Sequence, residues 1–96
     1  MGNIEFAWDR RKARSNLKKH GVSFEEAQAV FLDDNARLID DPDHSEDEAR
    51  FVLLGYSFQA RCLIVSHCYQ EPGAAIRLIS ARRATAREED IYWRLR

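Results

Sequence analysis

Ninety-six residues with 45% apolar and 32% charged side chains suffice for one hydrophobic core, which excludes a two-domain chain and a disordered one. No apolar run approaches the ~20 residues of a membrane span, and the opening MGNIEFAWDRR lacks the apolar stretch of a signal peptide, so a cytoplasmic single domain over residues 1–96 is expected. The formal charge of −1 hides a segregation of net +4 in residues 1–20, −8 in residues 21–50 and +3 in residues 61–96, and fields of that kind do not exclude a polyanionic partner.

Ile4, Phe6 and Trp8 alternate with Glu5 and Ala7, the period-two pattern of a short strand. Asp9 is placed to cap a helix over Arg10 to His20, on which Ala13, Leu17 and His20 form a narrow apolar stripe. Gly21 ends it as a left-handed residue. Ser23-Phe24-Glu25-Glu26 is a capping box, in which the hydroxyl and the glutamate each satisfy a free N–H at a helix start. The apolar positions of this second helix, Phe24, Ala27, Val30 and Phe31, share one face, and the pattern decays at Asp33-Asp34-Asn35.

Arg37 to Asp40 reads as a short strand and Asp41-Pro42-Asp43-His44-Ser45 as an exposed acidic turn. Three aliphatic and aromatic runs follow: Arg50 to Phe58, Arg61 to Tyr69 and Ile76 to Arg82. They are separated by Gln59-Ala60 and by Gln70-Glu71-Pro72-Gly73, connections short enough for an antiparallel meander. Thr85-Ala86-Arg87-Glu88 is a second capping box, opening a last helix from Ala86 to Leu95 with Ile91 and Leu95 buried. The fold class is α+β: an antiparallel sheet of about four or five strands, with two N-terminal helices and one C-terminal helix packed on one face, the other face being partly open.

Cys62 and Cys68 lie six residues apart in one strand, so their Cα atoms are ~20 Å apart, beyond disulfide reach, and both thiols are expected to be reduced. No Cys or His pair has the close spacing of a structural zinc site, and neither a metal nor another cofactor is expected.

Polar residues interrupt the apolar strands, which costs stability unless they are paired or used. Period two puts Ser80 and Arg82 on one face of their strand and Arg77 on the other; on the preceding strand His67 goes with Arg61, Val65 and Tyr69, and Ser66 with the cysteines. Arginines with a hydroxyl and an imidazole form a phosphate site, since guanidinium grips phosphate oxygens in pairs and stabilises charge that grows in a transition state. If Arg77 and Arg82 are to touch one phosphate, a bulge or strand-end twist is required. The bland alternatives are arginines paired with the acidic segment, and His67 bonded to a carboxylate. His20 at a helix end is better placed to cap carbonyls than to catalyse, and His44 is solvated. The helix carrying Arg10, Arg11, Lys12, Arg14, Lys18 and Lys19 is either a solvated face or, with Trp8 and the arginine-rich C-terminal end, a nucleic-acid surface on which Tyr92 and Trp93 offer rings for stacking.

The phrases FAWDRRKARSNLKKHGVSFEEA, DDPDHS, FVLLGYS, LIVSH and IRLISARRATAREE, in that order from about Phe6 to Tyr92, together resemble the BrnT family, toxins of type II toxin–antitoxin modules. The resemblance implies a RelE-like fold and an endoribonuclease that stops translation. It also implies a BrnA-like ribbon-helix-helix antitoxin that binds the toxin, with DNA reached only through that complex. Such ribonucleases are similar in needing no metal: the substrate's 2′-hydroxyl attacks the adjacent phosphate. Carried onto this sequence, the catalytic roles fall on Arg61, His67, Arg77, Ser80 and Arg82, with Arg83, Tyr92 and Lys19 as outer RNA contacts. Arg77 and Arg82 would stabilise the pentacoordinate phosphate, His67 would move a proton, and Ser80 would orient an oxygen. A second class of function is a non-catalytic module whose basic surface holds an acidic segment of a partner protein.

Overall fold

The computed structural model describes residues 4–39, 50–69 and 75–94. The expected turn Asp41 to Ser45 with His44, the connection Gln70 to Gly73, and Asp40 and Leu95 lie outside the described residues.

Strand β1 (Phe6–Ala7) leads into α1 (Arg10–His20), and the Asp9 carboxylate accepts from the N–H groups of Arg11 at 2.7 Å and Lys12 at 3.3 Å. Gly21, at φ 71°, ends α1 and donates its N–H to the Leu17 carbonyl at 2.8 Å. Helix α2 (Phe24–Gln28) starts under Ser23, whose hydroxyl accepts from the Glu26 N–H at 2.9 Å. Only that half of the expected capping box forms, because the Glu26 side chain turns away toward Ser57 and Arg61. A 3₁₀ turn (Ala29–Leu32) continues the buried face.

Strands β3 (Phe51–Tyr56), β4 (Cys62–Tyr69) and β5 (Ile76–Arg83) form the antiparallel meander expected from the short connections, and β2 (Arg37–Ile39) adds antiparallel to β3. The sheet order is β1-β5-β4-β3-β2, and β1 joins parallel to β5, so the sheet is mixed and not wholly antiparallel. No hairpin links β1 to β5, and nothing local forces the antiparallel sense.

Leu53, Leu63, Val65, Leu78 and Ala81 pack with Val22, Phe24, Ala27 and Val30, whereas Val52, Leu54, Cys62 and Ile64 pack with Tyr92 and Ile91. Because successive strand residues point to opposite faces, these are two cores on two sides of one sheet. The last helix, α3 (Ala86–Arg94), therefore covers the face opposite α1 and α2, a correction to the expected one-sided packing. Strands apolar on both faces demand cover on both.

Both edge strands are too short to pair the whole of their neighbours, and side chains complete the work. Beyond the reach of β1, Asn16 accepts from the Ala81 N–H at 3.0 Å and donates to the carbonyls of Ala81 at 2.8 Å and Val22 at 2.9 Å. Beyond β2, the Asp33 carboxylate accepts from the Tyr56 N–H at 2.9 Å and the Tyr92 hydroxyl at 2.8 Å. Gly55 admits this arrangement, since a Cβ there would stand 3.0 Å from Ala36, Asp33 and Val30. The apolar stripe expected on α1 is thus replaced by a polar anchor: Asn16 is buried, Leu17 is half exposed, and Ala13 packs at the margin of the core.

Candidate active site on the sheet

The phosphate-site residues are brought together by one irregularity. In the β4–β5 ladder Cys68 stands opposite Arg77 and His67 opposite Leu78, but Ser66 stands opposite Ser80, so Ile79 is an extra residue on β5. A bulge of this kind moves every later side chain to the other face relative to strict alternation. Directly opposed residues share a face. Arg77 beside Cys68, Ser80 beside Ser66 and Arg82 beside Ile64 consequently line one face, and the opposite parity expected for Arg77 and Arg82 is corrected. Four residue steps on β4 separate their partners, about 13 Å, within the joint reach of two arginine side chains.

Arg82 is already engaged. Its two terminal nitrogens donate to the two carboxylate oxygens of Glu88 at 2.9 Å each, and Nη1 also reaches the Arg83 carbonyl at 3.2 Å. Glu88 at the same time completes the second capping box, accepting from the Thr85 N–H at 2.8 Å while Thr85 accepts from the Glu88 N–H at 3.1 Å. The Arg82 guanidinium is the main reason that the Glu88 carboxyl is held down to about 2.

Other expected site residues fall elsewhere. Arg61 lies at the start of β4 on the α2 side, donating Nε to Glu26 at 2.9 Å, pairing with it a second time through Nη2, and reaching the Gly21 carbonyl at 3.0 Å. Arg61 is also the main cause of the lowered Glu26 pKa, which Ser57 at 2.7 Å reinforces, so Arg61 is committed to a buried carboxylate. Arg83 is exposed and its charge adds to the field at Glu26, on that same side.

His67 is fully buried on the α1–α2 side, its ring 5.0 Å from Phe31 and 5.5 Å from Tyr69. Its Nδ1 hydrogen-bonds to the Val65 carbonyl at 3.2 Å, Nε2 has no partner among the described residues, and burial depresses its pKa. It faces away from Arg77, Ser80 and Arg82, which corrects its expected place as their proton-transfer partner. Tyr92 is 3% exposed beneath α3, so its ring is core and not a stacking platform. Burial pushes the Cys62 thiol up to about 11 on that same side, and both cysteines are free.

Lys19 is exposed on α1 and borders a cleft of about 260 Å³ along the edge of β5, shared with Lys12, Ser15, His20 and Ser80. His20 makes no carbonyl cap among the described residues, since the Gly21 N–H closes the helix instead.

Sequence reasoning passed over Asn16, Ser66 and Arg50. Strand alternation puts Ser66 on the face of the cysteines, but only the cross-strand register shows that it meets Ser80. Continuing the β3–β4 register by one residue sets Arg50 beside Cys68, in a row with Arg77, and its buried Nε has no partner among the described residues. No group of three metal-ligating side chains occurs among the described residues.

Residues 8–88 match the family described as "Ribonuclease toxin, BrnT, of type II toxin-antitoxin system". The 1.1 Å crystal structure of the Brucella abortus ribonuclease toxin BrnT is similar to this chain with a TM-score of 0.66 at 21% identity, covering 86% of this chain and 99% of that one, a likeness of fold. No curated protein matches. With a family pattern spanning most of its length and a fold similar to that of the solved toxin, the chain belongs to the BrnT family of ribonuclease toxins of type II toxin–antitoxin systems.

Proposed function

We propose that this chain is an endoribonuclease toxin that cuts RNA by attack of the substrate's 2′-hydroxyl on the adjacent phosphate and so inhibits translation, on a fold we read as RelE-like. The single observation that carries the reading is the β4–β5 register shift, which sets Arg77, Ser80 and Arg82 on one face beside Ser66. The guanidinium groups of Arg77 and Arg82 supply charge for the non-bridging oxygens of the pentacoordinate phosphate, and the Ser80 hydroxyl orients one of them. Arg61 and His67 do not join this face and support it through packing. The reading uses no bound metal, so cleavage is expected to persist in EDTA.

The experiment is incubation of purified protein with RNA in EDTA, wild type against Arg77→Ala and Arg82→Ala. Loss of one such donor is expected to lower the rate roughly 100-fold. RNA left intact by the wild type sinks the reading. Harmless overexpression, with Arg82→Ala merely loosening a complex, would support the non-catalytic module in its place.

A ribbon-helix-helix antitoxin, BrnA-like and carrying the DNA-binding function, is the partner in this reading. The groove of about 410 Å³ between α1 and α2 supports it: Trp8 and Leu17 give an apolar centre over the buried Phe24, and Arg10, Arg14 and Glu25 a charged rim. Co-purification through moderate salt is the expected result, and elution of toxin alone would remove this part.

A further inference from the structure

We propose that the cleft along the uncovered edge of β5 seats the phosphodiester to be cut, with His20 as the residue that takes the 2′-hydroxyl proton. The proposal rests on the ribonuclease reading above and deepens it by naming the seat of the substrate and the base.

The cleft is a product of how the edge of the sheet is closed. Strand β1 stops at Ala7, opposite Arg77, and Asn16 takes the backbone of Ala81, leaving the bulged step at Ile79 and Ser80 between them. Helix α1 lies across that gap. Residues 12, 15, 16, 19 and 20 fall on one side of a helix with 3.6 residues per turn, and these are the α1 residues that line the cleft, facing Ile79 and Ser80. Its charged and titratable walls are Lys12, Lys19 and His20, all from α1, while β5 contributes Ile79 and Ser80 and no charge. Arg77 and Arg82 lie on the adjoining sheet face, and Arg83 lies on the α2 side near Glu26. A cleft walled by cations and hydroxyls fits a phosphodiester and repels a cationic ligand.

Ser80 joins the two halves. It stands opposite Ser66 on the arginine face and also borders the cleft, so a phosphate seated at this edge of the sheet lies between that face and α1. His20 is half-buried and open to the cleft, in contrast to the fully buried His67. The Leu17 carbonyl at the end of α1 is taken by the Gly21 N–H, and His20 caps no carbonyl among the described residues.

In the step, the 2′-oxygen bonds to phosphorus as the bond from phosphorus to the 5′-oxygen breaks. The imidazole of His20 accepts the 2′-hydroxyl proton, and a water molecule donates a proton to the departing 5′-oxygen. The products are a 2′,3′-cyclic phosphate and a 5′-hydroxyl. Lys12 and Lys19 hold the chain's non-bridging oxygens before and during the step.

The test compares wild type, His20→Gln, the double variant Lys12→Ala with Lys19→Ala, and Arg82→Ala on one RNA in EDTA across pH. All these side chains are exposed or half-buried, and thermal melts check that each variant folds. His20→Gln is expected to lower kcat about 100-fold or more, with little change in KM and loss of the acid limb of the pH–rate profile. The lysine pair should chiefly raise KM. Independently of cleavage, an oligonucleotide methylated at its 2′-oxygens, which cannot be cut, should shift the His20 imidazole signals in the NMR spectrum of the whole chain. A fully active His20→Gln beside an inactive Arg82→Ala overturns this proposal and leaves the ribonuclease reading standing. A wild type that leaves RNA intact overturns both, and methylated oligonucleotide that binds without moving the His20 signals overturns the seat.

Discussion

Arg82 and Glu88 face each other through two parallel hydrogen bonds of 2.9 Å, while Glu88 also accepts the Thr85 N–H at the start of α3. One carboxylate therefore fixes the orientation of an arginine on the sheet and the origin of the helix beside it. Glu88→Gln keeps the shape but loses the paired charge. It is expected to cost about 1–2 kcal/mol in thermal or urea melts and to reduce cleavage about tenfold as Arg82 loosens. Because the folded carboxyl is held down to about 2 from an ordinary 4.5, its stabilisation is present above 4.5 and is lost as pH falls toward 2. Melts across that window should show a slope that Glu88→Gln flattens.

The Arg61–Glu26 pair is a matter of folding and not of cleavage. The Glu26 side chain is only 4% exposed, and removing its guanidinium leaves a buried carboxylate with Ser57 alone. Arg61→Ala is expected to lose about 3 kcal/mol, read by urea melts, while the rate per folded molecule stays near wild type. A stable but inactive Arg61→Ala would restore it to the catalytic set.

His67 should make the protein acid-sensitive. Burial sets its folded pKa below the ordinary 6.5, so the unfolded chain takes the proton first as pH falls. Its contribution is complete above 6.5 and declines below it. His67→Phe, among Phe31, Phe51 and Tyr69, should remove that decline in melts between pH 7 and 5 and leave cleavage intact.

Asn16→Leu tests whether the edge of β5 depends on one amide. Losing it leaves the N–H and carbonyl of Ala81 and the carbonyl of Val22 without that partner, expected to cost about 2–4 kcal/mol by thermal melt. Exposed Arg87, by contrast, is expected to be replaceable by alanine with no change in melt or cleavage.

Elements marked by local chemistry were legible in the sequence. Asp9, Gly21, Ser23, Thr85 and Glu88 cap the helices where their spacing put them, and the meander follows from its short connections. What stayed hidden depends on contacts between distant segments. Asn16 meets a strand 65 residues away, and an asparagine within a basic helix gives no sign of that. The even positions of β3 and β4 were as apolar as the odd ones, a signal that α3 would cover the second face, but the helix itself does not say which face it takes. The placing of Arg77 with Arg82 turned on one unpaired residue, and periodicity applied to β5 alone reverses the answer.

That residue also sets how β5 would respond to losing length. Removing one residue elsewhere in a strand reverses the orientation of everything beyond it. At the step of Ile79 and Ser80 the chain already carries one residue more than its neighbour, and a one-codon deletion there restores plain alternation with Ala81 inward and Arg82 outward. A deletion scan through β5 should thus find a single tolerated gap, and the shortened toxin would keep its arginine face while closing the edge onto which Ser80 opens.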